Sequence, residues 1–236
     1  MSYRRGDAPK TKSSEAYERI YSDIVKGRFQ SGEKLVIDEL REQYDVGLGP
    51  LREALARLSA GLLVVAEDQR GFRVSEISEQ DLLDTTELRC KLESWAIRDS
   101  IKRGDTDWEA DVLAASHRLA KSPWQEKKGA ELSSDAWTDS HREFHYALVS
   151  ACGSPWLLLF RNILFDHAER YRNLSIGYAS SRSNKDNSDS SIFDDEHKQL
   201  ADAALARDSK TASLLIAQHY RRIADTVLAT LQSHGD

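Results

Sequence analysis

Four histidines are the residues whose type and spacing best suit a metal site. His141 and His145 are four residues apart, so on a helix their side chains share one face. His197 and His219 lie in two later segments with helical periodicity. Neutral imidazoles suit Zn, Ni, Cu or Fe, and Zn is the first expectation for a divalent metal here. The alternative is four ordinary polar or core histidines, which is the interpretation taken for the remaining three, His117, His167 and His234.

The same segment also raises the possibility of an enzyme. His141-Arg142-Glu143-Phe144-His145 superficially resembles the metal-binding motif of zinc hydrolases. Glu143, however, follows His141 by two residues and lies about 200° round the helix, so it does not face a metal-bound water. No nucleophile elbow, phosphate-binding loop or dinucleotide fingerprint is found. We therefore expect no enzyme activity and keep a metal-dependent hydrolase as the alternative.

A second candidate site lies near the N-terminus, at the start of a short helix. Gly47-Leu48-Gly49-Pro50 precedes that helix, and proline is favoured in a first helical turn. Arg52 follows directly, with Arg57 a turn further on. A guanidinium at this place can bind guanine O6 and N7 or grip a phosphate, and glycines let a DNA backbone approach closely. For Arg57, and for Arg41 on the preceding helix, a solvated surface charge is the favoured interpretation over DNA contact.

The elements around that site predict a winged helix-turn-helix. Tyr17, Ile20 and Ile24 mark a helix from Ser14, two short helices follow, and residues 62–66 and 72–74 predict a β-hairpin. The hairpin turn, with Gln69, Arg70 and Gly71, forms the wing that would reach the DNA backbone or the minor groove. Pattern alone leaves a small helical domain with a surface hairpin equally open.

The rest of the chain predicts helices only, so the fold class is mostly α. We expect a flexible arm at 1–13, a DNA-binding domain at 14–75, a linker at 76–80 and a helical effector-binding and dimerisation domain at 81–236. That last domain should contain six or seven helices, with a Ser/Asn/Asp-rich loop at 177–191.

Composition narrows the class of protein further. The 236 residues are 40% hydrophobic and 31% charged, an ordinary globular mix with no apolar run long enough to span a bilayer. The basic, polar N-terminus is not a signal peptide, and two cysteines suggest no disulfide framework, so a cytoplasmic location is expected.

The net charge is -6, but residues 1–75 carry 13 Lys and Arg against 12 Asp and Glu, whereas 76–236 carry 20 against 27. This asymmetry permits a DNA-binding first part without showing one.

Short motifs spread over nearly the whole chain resemble the GntR family of transcription regulators. The motifs are Ala16-Tyr17, residues 24–27, 32–35, 50–55, Leu58, Gly61-Leu62 and 71–74 for its winged helix-turn-helix. The second part resembles the FCD ligand-binding domain of the FadR subfamily through residues 87–89, Glu93, Phe144-His145, Glu196-His197, residues 206–208 and His219. A narrower resemblance, through residues 47–55 and 151–154, is to a carbon-starvation-induced member that represses a pathway for glutarate and related acids.

The resemblance implies a homodimer on a palindromic double-stranded DNA operator, with affinity altered by a small carboxylate effector. It also implies that His141, His145, His197 and His219 bind a metal, with His141 standing where the family has Asp or Asn. Asp139 is a weaker candidate ligand. Arg89, common in this domain, and also Arg170 and Arg172 are implied effector-binding residues. Their alternative is an ion pair with Glu87, Glu93 or Asp166, which is favoured for Arg172.

The resemblance also has one departure in the DNA-reading segment. The family usually has Ser-Arg-Thr or Thr-Arg-Thr before the proline, and this chain has Gly47-Leu48-Gly49. The arginine that commonly reads guanine is therefore absent, so the family's base preference does not carry over to this chain.

Overall fold

The chain forms two compact units. The computed structural model describes residues 11–68, 70–122, 135–180 and 188–233. One unit ends at Ile77 and the other begins at Ser78. Gln69, His234 and residues 1–10 of the expected arm lie outside the described residues. Among the described helices, none has the length and apolar character needed to cross a bilayer.

The first unit has the winged helix-turn-helix expected from the sequence. In chain order its elements are α1 (Lys12–Val25), β1 (Lys34–Leu35), α2 (Ile37–Tyr44), α3 (Leu48–Ala60), β2 (Val64–Glu67) and β3 (Gly71–Val74). The strands form an antiparallel sheet in the order β1-β3-β2, with Val65 opposite Arg73. The two-residue strand β1 extends the predicted hairpin to three strands.

Several ends of these elements differ from the prediction by two residues, for local reasons. Helix α1 begins at Lys12 rather than Ser14 because the Thr11 hydroxyl accepts a hydrogen bond from the Ser14 amide and caps the helix. Strand β2 begins at Val64 rather than Leu62 because Leu62 has a positive φ of 60°. That conformation closes the C-terminal end of α3, where the Leu62 amide donates to the Ser59 carbonyl.

The α2-α3 turn positions the helix that carries Arg52. Asp45 ends α2 in the left-handed region with a φ of 51°, and α3 starts at Leu48, two residues before the proline. Pro50 therefore lies inside the first turn, where its missing N–H needs no partner. The apolar face of α3 is fully buried and anchors the helix in the core of this unit through Leu51, Ala54, Leu55 and Leu58.

The second unit is entirely helical over its described residues. Its six helices are α4 (Glu79–Arg103), α5 (Thr106–Lys121), α6 (Asp135–Val149), α7 (Pro155–Ser180), α8 (Ser188–Leu205) and α9 (Ser209–Gln232). Ser78 caps α4 by accepting a hydrogen bond from the Asp81 amide, so helix begins inside the expected linker at 76–80. Both ends of the loop expected at 177–191 are helical, because α7 continues to Ser180 and α8 starts at Ser188, and residues 181–187 lie outside the described residues.

The turn between α6 and α7 fixes the direction in which α6 presents its side chains. Gly153 lies in this turn with a φ of +75°, and a Cβ added there would stand 2.5 Å from the Arg103 guanidinium. The backbone conformation therefore favours glycine here, and a larger residue would also displace the end of the Arg103 side chain. Around the turn, Phe144, Leu148 and Cys152 are buried in the core of the helical unit.

Candidate functional site

The four histidines singled out from the sequence come together in the interior of the helical unit. His141 and His145 lie on α6, His197 lies on α8 and His219 on α9. One ring nitrogen from each lies within 4.8 Å of the others, and all four side chains are buried. The Nε2 atoms of His141 and His145 are 3.1 Å apart. The predicted cluster, hereafter the histidine cluster, is thus present as a geometric unit.

Aromatic rings hold the histidine cluster in place. Trp137, one helical turn before His141, stacks on its imidazole with centroids 4.5 Å apart and planes 16° from parallel. The ring of Phe165 lies 5.9 Å from that of His141 and 6.0 Å from that of His145. These apolar neighbours exclude water and restrict the imidazole rotamers, as a preformed metal site requires.

Two imidazoles, those of His145 and His219, are oriented by a hydrogen-bond partner on Nδ1, and that of His141 has a carboxylate nearby but beyond hydrogen-bond distance. The Tyr220 hydroxyl is 3.1 Å from Nδ1 of His145, and Glu196 Oε2 is 2.7 Å from Nδ1 of His219. A Glu169 carboxylate oxygen is 3.6 Å from Nδ1 of His141. An outer partner on Nδ1 directs Nε2 to the opposite side of the ring, the arrangement found around metal-bound histidines.

The residues of the histidine cluster fit a divalent transition metal. Two nitrogens at about 2.0–2.1 Å from one ion stand about 2.8–3.4 Å apart at octahedral or tetrahedral angles, and the observed separation of His141 and His145 falls in that range. Burial lowers the pKa of His141, His145 and His219, so these imidazoles are neutral and able to ligate. Asp139, the weaker candidate, is exposed. An all-imidazole set suits Zn or Ni better than Mg or Ca.

The geometry gives no support to the hydrolase alternative. Glu143 is exposed, and its carboxylate accepts a hydrogen bond from Arg118 at 3.1 Å. It therefore lies on the outer face of α6, away from His141 and His145, and does not act as a base beside the histidine cluster.

Arg89 is the expected effector-binding arginine, and its guanidinium is buried beside the cluster. The guanidinium carbon lies 3.6 Å from the centroid of Tyr220 and 4.8 Å from that of Phe165. Its Nε is 3.8 Å from a Glu93 carboxylate oxygen, beyond hydrogen-bond distance, and neither Nε nor Nη2 has a hydrogen-bond partner among the described residues. A buried donor without a partner is costly, which suits an anion arriving at this place.

Arg161, which was not among the effector-binding residues predicted from the sequence, is a second buried arginine beside Glu93. It is 1% exposed, its Nε lies 2.8 Å from Glu93, and its guanidinium carbon is 4.6 Å from the Phe165 centroid. Its Nη2 has no hydrogen-bond partner in the described part of the chain. Two buried guanidiniums thus share one carboxylate. The available signal was an arginine inside the apolar run 156–165.

The other two predicted effector arginines have different surroundings. Arg172 binds Glu169 through two hydrogen bonds, Nε at 3.1 Å and Nη2 at 2.5 Å, and lies 4.7 Å from the Trp137 ring. The ion pair favoured for Arg172 is therefore present, with Glu169 in place of the three carboxylates expected from the sequence. Arg170 is fully buried, and burial lowers its pKa.

On the first unit, Arg52 and Arg70 have the exposure expected of DNA-contacting residues. Arg52 is exposed in the first turns of α3, and Arg70 is exposed before β3. Within the described residues, neither side chain has a hydrogen bond, ion pair or ring contact. A guanidinium without an internal partner is available to a phosphate or a base edge.

Arg57 and Arg41, by contrast, are engaged within the unit. The Arg57 guanidinium lies 4.1 Å from the Tyr17 ring centroid and donates to the Ser14 hydroxyl at 3.3 Å. Arg41 is paired with Asp38 at 3.2 Å. The preference for a surface charge over DNA contact at these two arginines stays a prediction, and both guanidiniums have partners within the unit.

The remaining residues of the expected DNA surface are exposed or partly exposed. Gly47, Leu48 and Gly49 are exposed at the N-terminus of α3, and Pro50 is partly exposed beside them. Gly71 is exposed with a φ of +95°, which explains glycine in the tight turn of the wing.

Each of the two units matches a known protein family. The family model for bacterial regulatory proteins of the gntR family matches residues 12–74, and the FCD domain model matches residues 84–222. The chain is 41% identical over 214 residues to the HTH-type transcriptional repressor GlaR of Escherichia coli, covering 88% of this chain and 91% of that protein. It is 37% identical over 203 residues to BphR of Paraburkholderia xenovorans, described as an uncharacterized HTH-type transcriptional regulator, covering 86% of this chain and 80% of that protein. The solved structure of E. coli McbR/YncC matches with a TM-score of 0.71 and 18% identity over 97% of this chain and 100% of that chain, a likeness of fold alone.

Proposed function

The chain belongs to the GntR family of bacterial regulatory proteins and carries an FCD domain, and we propose that it is a repressor released or retained on its operator by a small organic acid. DNA-binding transcriptional regulation, rather than enzyme activity, follows from the family and from relatives named as HTH-type regulators. The finer proposal is that a metal in the histidine cluster and the adjacent arginines bind the effector.

The observation that carries the effector proposal is the pairing of the histidine cluster with unsatisfied guanidinium groups. Among the described residues, Arg89 and Arg161 share one carboxylate, that of Glu93, and Arg161 also donates to the Asn162 side chain at 3.0 Å. Both guanidiniums contact Phe165, whose ring also contacts His141 and His145. A carboxylate is the anion that guanidinium groups bind with two parallel hydrogen bonds. When a metal is bound, it supplies a Lewis acid that fixes a carboxylate oxygen.

Two buried guanidiniums beside the single carboxylate of Glu93 support an anionic effector. We take a glutarate-like dicarboxylate as the first candidate, because one carboxylate can meet the Arg89–Arg161 pair while the other faces the histidine cluster. Arg170 and Arg172 remain proposed secondary contacts. Zn is the proposed metal, with Ni as the next candidate.

The DNA proposal places the N-terminal end of α3 in the major groove. Arg52 would bind a guanine edge or a phosphate, the glycines before it would let the backbone of the duplex approach, and Arg70 with its neighbours in the wing would bind phosphate. A cytoplasmic location is part of the same proposal.

We also propose a homodimer on a palindromic operator, formed through the helical unit. Helices α4 and α7 pack against each other, and both carry large apolar side chains that are exposed in the single chain. These are Leu88, Trp95, Trp156, Leu159 and Phe160. Several large exposed apolar side chains on two packed helices are typical of a subunit interface, and a two-fold dimer matches a palindromic site.

The test is a gel-shift titration at one fixed salt concentration, using the duplex upstream of the protein's own gene and a random duplex of equal length. Glutarate, succinate and adipate are added in turn, and butyrate serves as the control with one carboxylate. We expect preference for the upstream duplex and an affinity change with a dicarboxylate but not with butyrate. Equal binding to both duplexes would refute the operator proposal, and an unchanged affinity with every acid would refute the effector proposal.

A further inference from the structure

Leu48 is a large apolar side chain exposed at the start of the recognition helix. It is the first residue of α3, and 41% of its surface is exposed. Leu51 and Leu55, three and seven residues later, are each 0% exposed, whereas Leu48 lies at the N-terminal edge of the same side of the helix, where the core does not cover it. A single exposed leucine is unremarkable by itself, and its neighbours make it informative.

Packing within the fold does not require the glycines on either side of Leu48. A Cβ at Gly49 would meet nothing within 4 Å, and a Cβ at Gly47 would meet only the Pro50 ring at 3.8 Å. Neither glycine has a positive φ. Gly47 is the N-cap of α3, a position at which glycine is common. Gly49 lies within the helix, where glycine costs about 0.5–1 kcal/mol relative to alanine, and packing gives no reason for it. The other general reason for glycine is the close approach of a ligand to the backbone.

The ligand that approaches this helix end in a helix-turn-helix is the major groove of DNA, whose base edges the N-terminal residues of the recognition helix contact. Leucine neither donates nor accepts a hydrogen bond. The one apolar group that a base pair offers in the major groove is the C5-methyl of thymine. We propose, resting on the placement of α3 given under Proposed function, that Leu48 is a specificity-determining residue that packs against a thymine methyl of the operator.

The position of Arg52 extends this proposal to two neighbouring base pairs. Leu48 and Arg52 are four residues apart on α3, so their side chains lie one above the other on one face. Arg52 is exposed and has no partner in the described residues. Each operator half-site should therefore contain a thymine, read by Leu48, within a base pair or two of a guanine read by Arg52.

The experiment begins with the full-length protein and a randomised duplex pool, from which the preferred duplex is selected. Each thymine of the selected duplex is then replaced in turn by deoxyuridine, which removes only the methyl group. We expect one thymine per half-site at which the replacement weakens binding about fourfold, the equilibrium equivalent of about 0.8 kcal/mol for one buried methylene-sized group. In Leu48→Ala, binding should be insensitive to deoxyuridine at that same position.

Two further variants separate base reading from a structural role. Leu48→Arg should replace the preference for thymine by a preference for guanine at that position, because arginine binds guanine O6 and N7. Leu62→Ala removes a leucine that is 62% exposed beyond the other end of α3, and it should leave the response to deoxyuridine unchanged. The melting temperature of each variant is measured, and an unchanged value in Leu48→Ala shows that the loss of discrimination is not unfolding.

The outcomes that overturn the inference differ from those that overturn the proposed function. If the wild-type protein selects a sequence but no thymine methyl affects its affinity, or if the methyl effect persists in Leu48→Ala, Leu48 does not read thymine. If the wild-type protein selects no sequence at all, the operator proposal fails and this inference fails with it.

Discussion

Removal of one imidazole from the histidine cluster should remove most of the stability that a metal adds to this protein. His145 is the most informative position, because it is 0% exposed and its Nε2 lies 3.1 Å from that of His141. The perturbation is His145→Ala, and the matched control is His117→Ala, which alters an exposed histidine on α5. The measured quantity is the difference in melting temperature with and without metal for each variant, so any intrinsic cost of the substitution cancels.

The expected magnitude follows from ligand linkage. Metal at about 100 times its dissociation constant stabilises the folded state by about 2.7 kcal/mol. For a chain of 150–250 residues, that corresponds to a rise in melting temperature of roughly 5–10 °C. If the loss of His145 weakens metal binding about 100-fold, the same metal concentration adds only about 0.4 kcal/mol, or roughly 1–2 °C.

The assay is differential scanning calorimetry on chelator-treated protein to which Zn, Ni or Co is added back, and Co additionally reports its ligand set by absorption. We expect the wild-type protein and His117→Ala to show the full rise and His145→Ala to show little of it. A wild-type protein whose melting temperature no metal changes would refute the metal site. A full rise in His145→Ala would show that the metal binds elsewhere.

Three further predictions test the other parts of the argument. Arg52→Ala should weaken specific operator binding at least tenfold, since a bidentate contact to a base contributes about 1–3 kcal/mol per half-site. Arg57→Ala should change the affinity less than about threefold. Quantitative gel shifts at fixed salt measure both affinities, and equal losses would contradict the assignment. Arg161→Met should raise at least tenfold the glutarate concentration that gives half of the maximal change in operator affinity, because a charge-assisted hydrogen bond contributes about 1.5–3 kcal/mol. An unchanged dependence on glutarate would show that Arg161 does not bind the effector. The metal-free protein should lose stability as the pH falls below about 6.5, because burial lowers the pKa of His141, His145 and His219 in the folded state. The unfolded chain therefore takes up protons first, and a melting temperature that is constant or rises between pH 7.5 and 5.5 would contradict this.

The elements and the histidine cluster were accessible from the sequence because periodicity and spacing are local properties. Ile20 and Ile24 at helical spacing are both 0% exposed, as the pattern predicts. The i, i+4 spacing of His141 and His145 fixed their common face without knowledge of the other helices. His197 and His219 come from distant segments, and their place in the same site was predicted from the family resemblance rather than from a local rule.

The partners of buried charges were not accessible in the same way. Arg161 lies 68 residues from Glu93 along the chain, and their 2.8 Å contact exists only because α7 packs on α4. Arg172 found its carboxylate three residues away, at Glu169, within its own helix. This i, i+3 spacing is a local signal for an ion pair on a helix, and three other carboxylates were named from the sequence instead. Long-range ion pairs depend on helix packing, which a pattern along one segment does not encode.

The net negative charge of the chain argues against an anionic effector, whereas the buried charges of the helical unit, which are mostly positive, favour one. Residues 76–236 carry an excess of acidic groups. Among the described residues of that unit, however, the buried charged side chains are four arginines, at positions 89, 161, 170 and 172, and two glutamates, at positions 93 and 169. Exposed carboxylates are screened within about 10 Å at ordinary ionic strength, whereas guanidiniums in a desolvated interior keep most of their field. A small anion that reaches the interior therefore meets a net positive environment, whatever the sign of the surface it crosses.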